Sequence, residues 1–301
     1  MKVVLSSAAN ERYGFHLLSM VGSVQTNSPG CFERIVLYDL GLSVRQRRLA
    51  SSIDGVDLRP MPHFAPHWEQ GFTWKPWIWT HLEADAIFYL DAGAMVLRSL
   101  AGVIEQIAER GYWVVSQGHE AGDILPSSWY ELYGIEREAA KRHAVAAGII
   151  GFRTSGRFWD DVVVPTYEDC LAGRSRGFST NEVDRLNWGF GRDESPPLPD
   201  ARAFRHDQSV LNARLLAAYP NDLVVADLDE YAGFRSPHDH PHQVIWGHRR
   251  RGDYRYLAKA RYRGSARLDA ALLAFRLRSR IALARCRPAL RRLGRFGQGA
   301  G

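Results

Sequence analysis

Asp91 is the single acid in the run FYLDAGAMVL, Phe88 to Leu97. An ionised carboxylate does not persist in a core without a partner. Asp91 therefore marks where a strand emerges, or it is held by a cation or by hydrogen-bond donors. Ala92 and Gly93 follow it with almost no side chain, and a plain turn-capping role for Asp91 is the competing account. His238, His240 and His242 alternate in PHDHPHQ, a spacing that zinc ligands on one strand would share. Pro237 and Pro241 break any such strand, so this segment reads as a polar loop. Cys31, Cys170 and Cys286 are widely spaced, with neither metal-ligand nor CxxC spacing, and read as buried thiols of a reducing compartment.

The elements that must position Asp91 alternate. Val3 to Leu5 predicts a strand, Gly14 to Val24 a helix, Arg34 to Tyr38 a strand and Val44 to Ser51 a helix. After the irregular Pro/His/Trp-rich stretch, Thr73 can cap a helix with Pro76 in its first turn and Trp77, Ile78, His81 and Leu82 at helical spacing. The Asp91 run then predicts one strand, Leu100 to Ala108 a helix and YWVVSQ a strand. This alternation implies an α/β fold with a Rossmann-like, mainly parallel sheet covered on both faces, whose ligands bind beyond the carboxyl ends of the strands. Further on, AAGIIGF, LVVADLD and QVIWG read as strands, Phe158 to Leu171 and Arg205 to Ala218 as helices, and Gly173 to Phe204 as a long loop. The expected organisation is a body of residues 1–260, divided into halves 1–115 and 116–260, and a helical tail 261–301.

With 301 residues and 46% hydrophobic content the chain can bury a sizeable core. MKVVLSS offers no secretory apolar segment and no stretch reaches membrane-spanning length, so a cytoplasmic protein is expected. The net charge of +6 is unevenly spread. Residues 249–301 carry 16 Lys/Arg and 2 Asp/Glu, leaving 23 against 31 in the first 248. An acidic body with a basic tail points to a polyanionic partner for the tail.

TWKPWIWTHLEADAIFYLDAGAMV, AAGIIGFR, RHDQSVLN and QVIWGHRR resemble, in order and spacing, segments of GT-A fold glycosyltransferases, closest to family 8 and its uncharacterised relatives. The resemblance covers about Lys2 to Arg251. It implies a GT-A (nucleotide-diphospho-sugar transferase) fold and a D-x-D metal motif whose first acid is Asp91. Gly93 stands where the second acid would be, which weakens the expected Mn²⁺ site. His248 matches the family's C-terminal metal ligand, and Arg249 and Arg250 would then contact the pyrophosphate, because guanidinium pairs bidentately with phosphate. Asp207 and Gln208 match the segment at the reacting centre, with Arg205 and His206 beside them. A helix N-terminus favours an ionised acid there, and helix capping by Asp207 is the alternative. Gly148 belongs to the donor-sugar segment, where Ala146 and Ala147 replace the usual Asn. Lys75 falls where relatives carry a basic residue facing the donor phosphates. A positive charge at a helix start is unfavourable unless an anion lies near. Ser6, with Ser7, and Asp39 fall where the family binds ribose and base.

The implied activity is transfer of a hexose from a nucleotide-diphosphate sugar, a UDP-sugar by resemblance, to a hydroxyl of a glycan or glycolipid acceptor, with retention favoured. The alternative is a catalytically degenerate sugar-nucleotide-binding protein or scaffold. A sugar-phosphate nucleotidyltransferase is disfavoured, because SSAANERYGFH lacks a Gly-rich phosphate loop with a basic residue. The tail predicts a helix from about Ser265 until Pro288, with apolar stripes Leu268/Leu272/Phe275 and Leu273/Leu277/Ile281 between Arg rows. One stripe can dock on the body and the other enter a membrane interface, giving a peripheral protein of the inner membrane face. A solvated Arg-rich helix competes with that account. Nucleic acid is not an expected partner, since interleaved aromatics are few.

Overall fold

The computed structural model describes residues 1–176, 204–227, 231–233, 240, 242–247 and 254–296, the last thirteen of these by backbone alone. A six-stranded sheet runs in the order β3-β2-β1-β4-β7-β6, made of β1 (Val3–Ala9), β2 (Arg34–Asp39), β3 (Val56–Pro60), β4 (Ala86–Leu90), β6 (Tyr112–Glu120) and β7 (His143–Arg153). β3, β2, β1 and β4 pair in parallel, and β7 pairs antiparallel with both β4 and β6. The sheet is thus mainly parallel, with β7 the one reversed strand. β1 lies between β2 and β4, so the chain switches direction of winding there, and sheets of this kind accept ligands beyond the carboxyl ends of the strands at such a point. A small second sheet, β5 (Ala94–Val96), β9 (Ile245–Gly247) and β8 (Ala232–Gly233), covers that edge.

Strand side chains alternate between two cores. Val3, Leu5, Phe88 and Leu90 join α1 (Gly14–Asn27), α2 (Val44–Ser51), α4 (Ala101–Arg110) and the first turns of α8 (Ala266–Phe296). Val4, Ala8, Ile87 and Tyr89 meet α3 (Trp74–His81), the π-helical turn Trp159–Val163 and α7 (Asp207–Ala218). A third core gathers Trp129 of α5 (Ser128–Tyr133), Cys170 of α6 (Val164–Leu171) and Phe204. Burial on both faces explains why these strands read as continuous apolar runs.

α1 lies so close to the segment after β9 that a Cβ on Gly22 would stand 2.0 Å from the Tyr256 carbonyl oxygen. Gly22→Ala is therefore expected to destabilise the protein by about 2 kcal/mol, despite the better helix propensity of alanine, because the obstacle is backbone. Equilibrium denaturation of the variant checks this, and an unchanged midpoint would refute it.

Several expectations need correction. The run Phe88 to Leu97 forms two strands in two sheets, because the chain turns at Asp91, where Ala94 N–H donates to the Asp91 carbonyl at 2.9 Å. LVVADLD makes only the isolated bridge Val115–Ala226 among the described residues, since Leu223 and Val225 are drawn into the core as a loop. VDLRP, half polar and ending in Pro, is an edge strand that sequence pattern does not reveal. Thr73 precedes α3 without a side-chain cap; its hydroxyl donates to the Gln70 carbonyl at 2.8 Å. α8 passes through Pro288, whose one missing N–H does not suffice to end a long helix. Cys31 is half-buried rather than buried, and Cys170 is buried. Of the expected loop Gly173 to Phe204, residues 174–176 form a 3-10 turn, and 177–203 lie outside the described residues.

Candidate active site

Lys75 is buried at the first turn of α3, and its ammonium bridges two carboxylates from distant parts of the chain. Nζ lies 3.3 Å from Asp91 Oδ1 and 3.1 Å from Asp207 Oδ2. The rings of Phe72, Trp74 and Tyr89 surround it at 5.3, 5.8 and 5.7 Å from their centroids, faces that attract a cation. The side chains of Lys75 and Asp207 are 7% and 3% exposed, whereas that of Asp91 is 49% exposed. Burial favours the neutral amine, but Asp207 and Asp91 outweigh it and hold Lys75 above its ordinary value. Burial, with the Asp91 charge adding to it, pushes Asp207 up to about 6 against the pull of Lys75. The centre thus has one acid open to solvent, one enclosed, and a cation between.

Each arm follows from its element. Asp91 leaves the end of β4, and its backbone N–H donates to the Gly148 carbonyl at 2.7 Å. Ser7 on β1 donates to the Leu90 carbonyl at 2.5 Å, fixing the exit from the strand. The Tyr89 hydroxyl donates to Asp91 Oδ1 at 3.1 Å, and burial raises its own pKa well above the ordinary tyrosine value. Gly148 makes room for the acid: a Cβ there would stand 2.2 Å from Asp91 Oδ2. Asp207 is the first residue of α7, and its carboxylate pairs with Lys75. Gln208 Nε2 donates to the Val145 carbonyl at 3.0 Å, and Asn212 takes the Val145 N–H at 2.7 Å.

The two non-glycine residues with positive φ among the described residues, Phe72 (56°) and His206 (58°), flank Lys75 and Asp207. Their rings meet edge-on at 6.0 Å, and His206 Nδ1 lies 2.8 Å from the Ser175 carbonyl. Burial lowers the His206 pKa to about 4, so the imidazole is neutral at physiological pH. Strained backbone at such points persists where surrounding packing enforces it, and it concentrates at functional centres.

The sequence-derived residues fall into three groups. Lys75, Asp91, Asp207, Gln208 and Gly148 converge. Gly93 lies in the turn after Asp91. Ser6 lies in the middle of β1, opposite Tyr89 of β4, and Asp39 is the last residue of β2. Ser6 Oγ is buried without a hydrogen-bond partner among the described residues. Asp39 is committed to its own loop, accepting from Gly41 N–H at 2.8 Å and Leu42 N–H at 2.6 Å and pairing with Arg47. His248, Arg249 and Arg250 lie outside the described residues, as does His238. β9 ends with Gly247 opposite Ala94, three residues from Asp91. Sequence reasoning missed Tyr89, which reads as a core aromatic in an apolar strand. It also missed the Phe72 and Ser175 contacts, for which no sequence signal exists.

Among the described residues no three His, Cys, Asp or Glu side chains converge to hold a metal ion. Asp91 alone is short of a cage, since one of its oxygens already takes Tyr89 and Lys75. Its half-exposed carboxylate fits a cation only as one ligand among several supplied from elsewhere.

This mainly parallel α/β fold is one that a solved glycosyltransferase shares. The chain superimposes on WbbM, a bifunctional glycosyltransferase in its apo form, with TM-score 0.50 and 10% identity, covering 90% of this chain and 51% of that one. It therefore spans about half of that protein. The galactosyltransferase LgtC, solved with donor and acceptor sugar analogues, matches with TM-score 0.47 and 12% identity over 81% of this chain and 86% of that one. GlyE from Streptococcus pneumoniae TIGR4 matches with TM-score 0.42 and 13% identity over 82% and 54%. No family model and no curated protein matches the sequence.

Proposed function

We propose that the protein is a glycosyltransferase that moves a hexose from a nucleotide-diphosphate sugar, a UDP-sugar on the family resemblance, to a hydroxyl of a cell-envelope glycan or glycolipid. The observation that carries this reading is the Lys75 bridge between Asp91 and Asp207 at the carboxyl ends of the strands. Departure of the diphosphate develops negative charge at the leaving oxygens, and fixed positive groups favour it in a site that excludes water. Arg249 and Arg250 are proposed to be such groups, while Lys75 balances the two acids and holds them in place. Asp207, ionised above about pH 6, favours the positive charge that gathers on the sugar ring, with Gln208 beside it. Asp91 and His248 are proposed to hold a divalent cation, Mn²⁺, together with phosphate oxygens of the donor. When bound, it would neutralise charge on the diphosphate.

UDP release from a panel of UDP-hexoses with Mn²⁺ tests the reading, with calorimetric binding of each donor in parallel. Asp91→Ala is expected to lower turnover about a hundredfold or more. Unchanged turnover in that variant would remove Asp91 from the chemistry. Donor binding without turnover in the wild type would establish the degenerate sugar-nucleotide-binding protein instead.

A further inference from the structure

α8 has two apolar faces, and only one is covered. Ala270, Leu273 and Ala274 are buried in the core beside α1 and α2, with Leu277 packed against them. Leu268, Leu272, Phe275 and Leu283 are 70%, 53%, 69% and 63% exposed. At 3.6 residues per turn these four form one stripe, roughly 180° around the helix from the docked face. Exposed Arg267 and Arg278 border the stripe on one side, and exposed Arg276 and Arg280 on the other.

We propose that this face seats the protein on an anionic phospholipid bilayer. The Leu/Phe stripe enters the boundary between headgroups and acyl chains, and the arginines pair with lipid phosphates at its edges. The charge pattern selects this occupant. A second copy pairing stripe to stripe would bring arginine rows against each other, and a nucleic-acid backbone has no use for the large apolar stripe between them. No helix among the described residues is long and apolar enough to cross a membrane, so the contact is a surface one.

The helix has a defined heading. Arg263 donates to the Ser51 carbonyl at 2.7 Å and pairs with Asp54, just before β3 begins, whereas Asp269 pairs with Arg48 and with Arg45 in the first turn of α2. α8 therefore runs antiparallel to α2, from the amino edge of the sheet toward the edge that carries Asp91. A bilayer along its exposed face would lie beside the site, which suits a lipid-linked acceptor; this last consequence rests on the transferase reading, the membrane contact itself does not.

Flotation of the full chain with vesicles of phosphatidylcholine alone, or mixed with phosphatidylglycerol, tests the proposal without any donor sugar. Wild type is expected to float with the anionic vesicles and to be released by high salt. The double variant L272E/F275E and, separately, R276E/R280E should each lower the bound fraction about tenfold, with circular dichroism and melting temperature unchanged because all four side chains are exposed. Equal partition of wild type and L272E/F275E overturns the proposal, as does equal binding to neutral vesicles. A wild-type oligomer that L272E/F275E converts to monomer, without vesicle binding, makes the occupant a second copy. Preferential capture of the wild type by RNA over vesicles also overturns it. UDP release assayed alongside keeps failure of the transferase reading separate.

Discussion

Lys75→Met is expected to cost about 3–5 kcal/mol of stability and to abolish turnover, because it leaves Asp91 and Asp207 facing each other without their cation. The sign of its pH dependence follows from Asp207. In the folded wild type this acid is pushed up to about 6 from the usual 3.8, so the folded state holds its proton more readily than the unfolded chain does. Stability from this group is greatest below pH 3.8 and declines as the pH rises toward 6. Without Lys75, which lowers it in the wild type, Asp207 should keep its proton to higher pH still, and the deficit of the variant should be larger at pH 8 than at pH 5. Denaturation at the two pH values checks this. Lys75→Met combined with Asp207→Asn should recover much of the stability but none of the turnover. A pH-independent deficit, or turnover near wild type, would refute the bridging role.

Gly148→Ala should divide stability from activity. The new Cβ would stand 2.2 Å from Asp91 Oδ2 and 2.8 Å from its Cγ, and that half-exposed carboxylate can swing away. Stability should change by no more than about 1–2 kcal/mol, while displacement of the acid from Tyr89 and Lys75 lowers turnover about a hundredfold. Gly151→Ala, three residues along β7 and on the opposite face of the strand, is the control. Its Cβ would meet Ile107 and Phe88 in the core at 2.3 and 2.8 Å, so stability should suffer and the surviving folded fraction should turn over normally. Equal losses of activity per folded molecule in the two variants would show that Gly148 has no special relation to Asp91.

The main sheet was legible in the sequence because its strands are buried on both faces, and apolar runs broken by helical spacing announce such strands. The end of one run also revealed Asp91, since a charge at the edge of an apolar segment needs a partner, whereas Lys75 and Asp207 were marked by the resemblance to glycosyltransferase segments. What could not be read was which partner. Lys75 was expected to face donor phosphates; in the folded chain it faces two carboxylates, one of them 132 residues away. Strand β5 was hidden because Ala94–Val96 continue the apolar pattern of β4, and only pairing with β9 places them in another sheet. The positive φ values at Phe72 and His206 left no trace, because neither position carries the glycine that usually marks such a conformation.

The reversed strand β7 acts as a ruler. Its Gly148 carbonyl takes the Asp91 N–H, and its Val145 carbonyl takes Gln208. The two anchor points are three residues apart, in a stretch where the register slips: Val145 pairs with Ser116 but Ile150 with Val114. Such irregularities re-aim a strand beside functional centres, so the separation of the two arms is set by this one bulged strand. Any broadening of what the site accepts must come from the segments around it, and an insertion within β7 would misplace both arms at once.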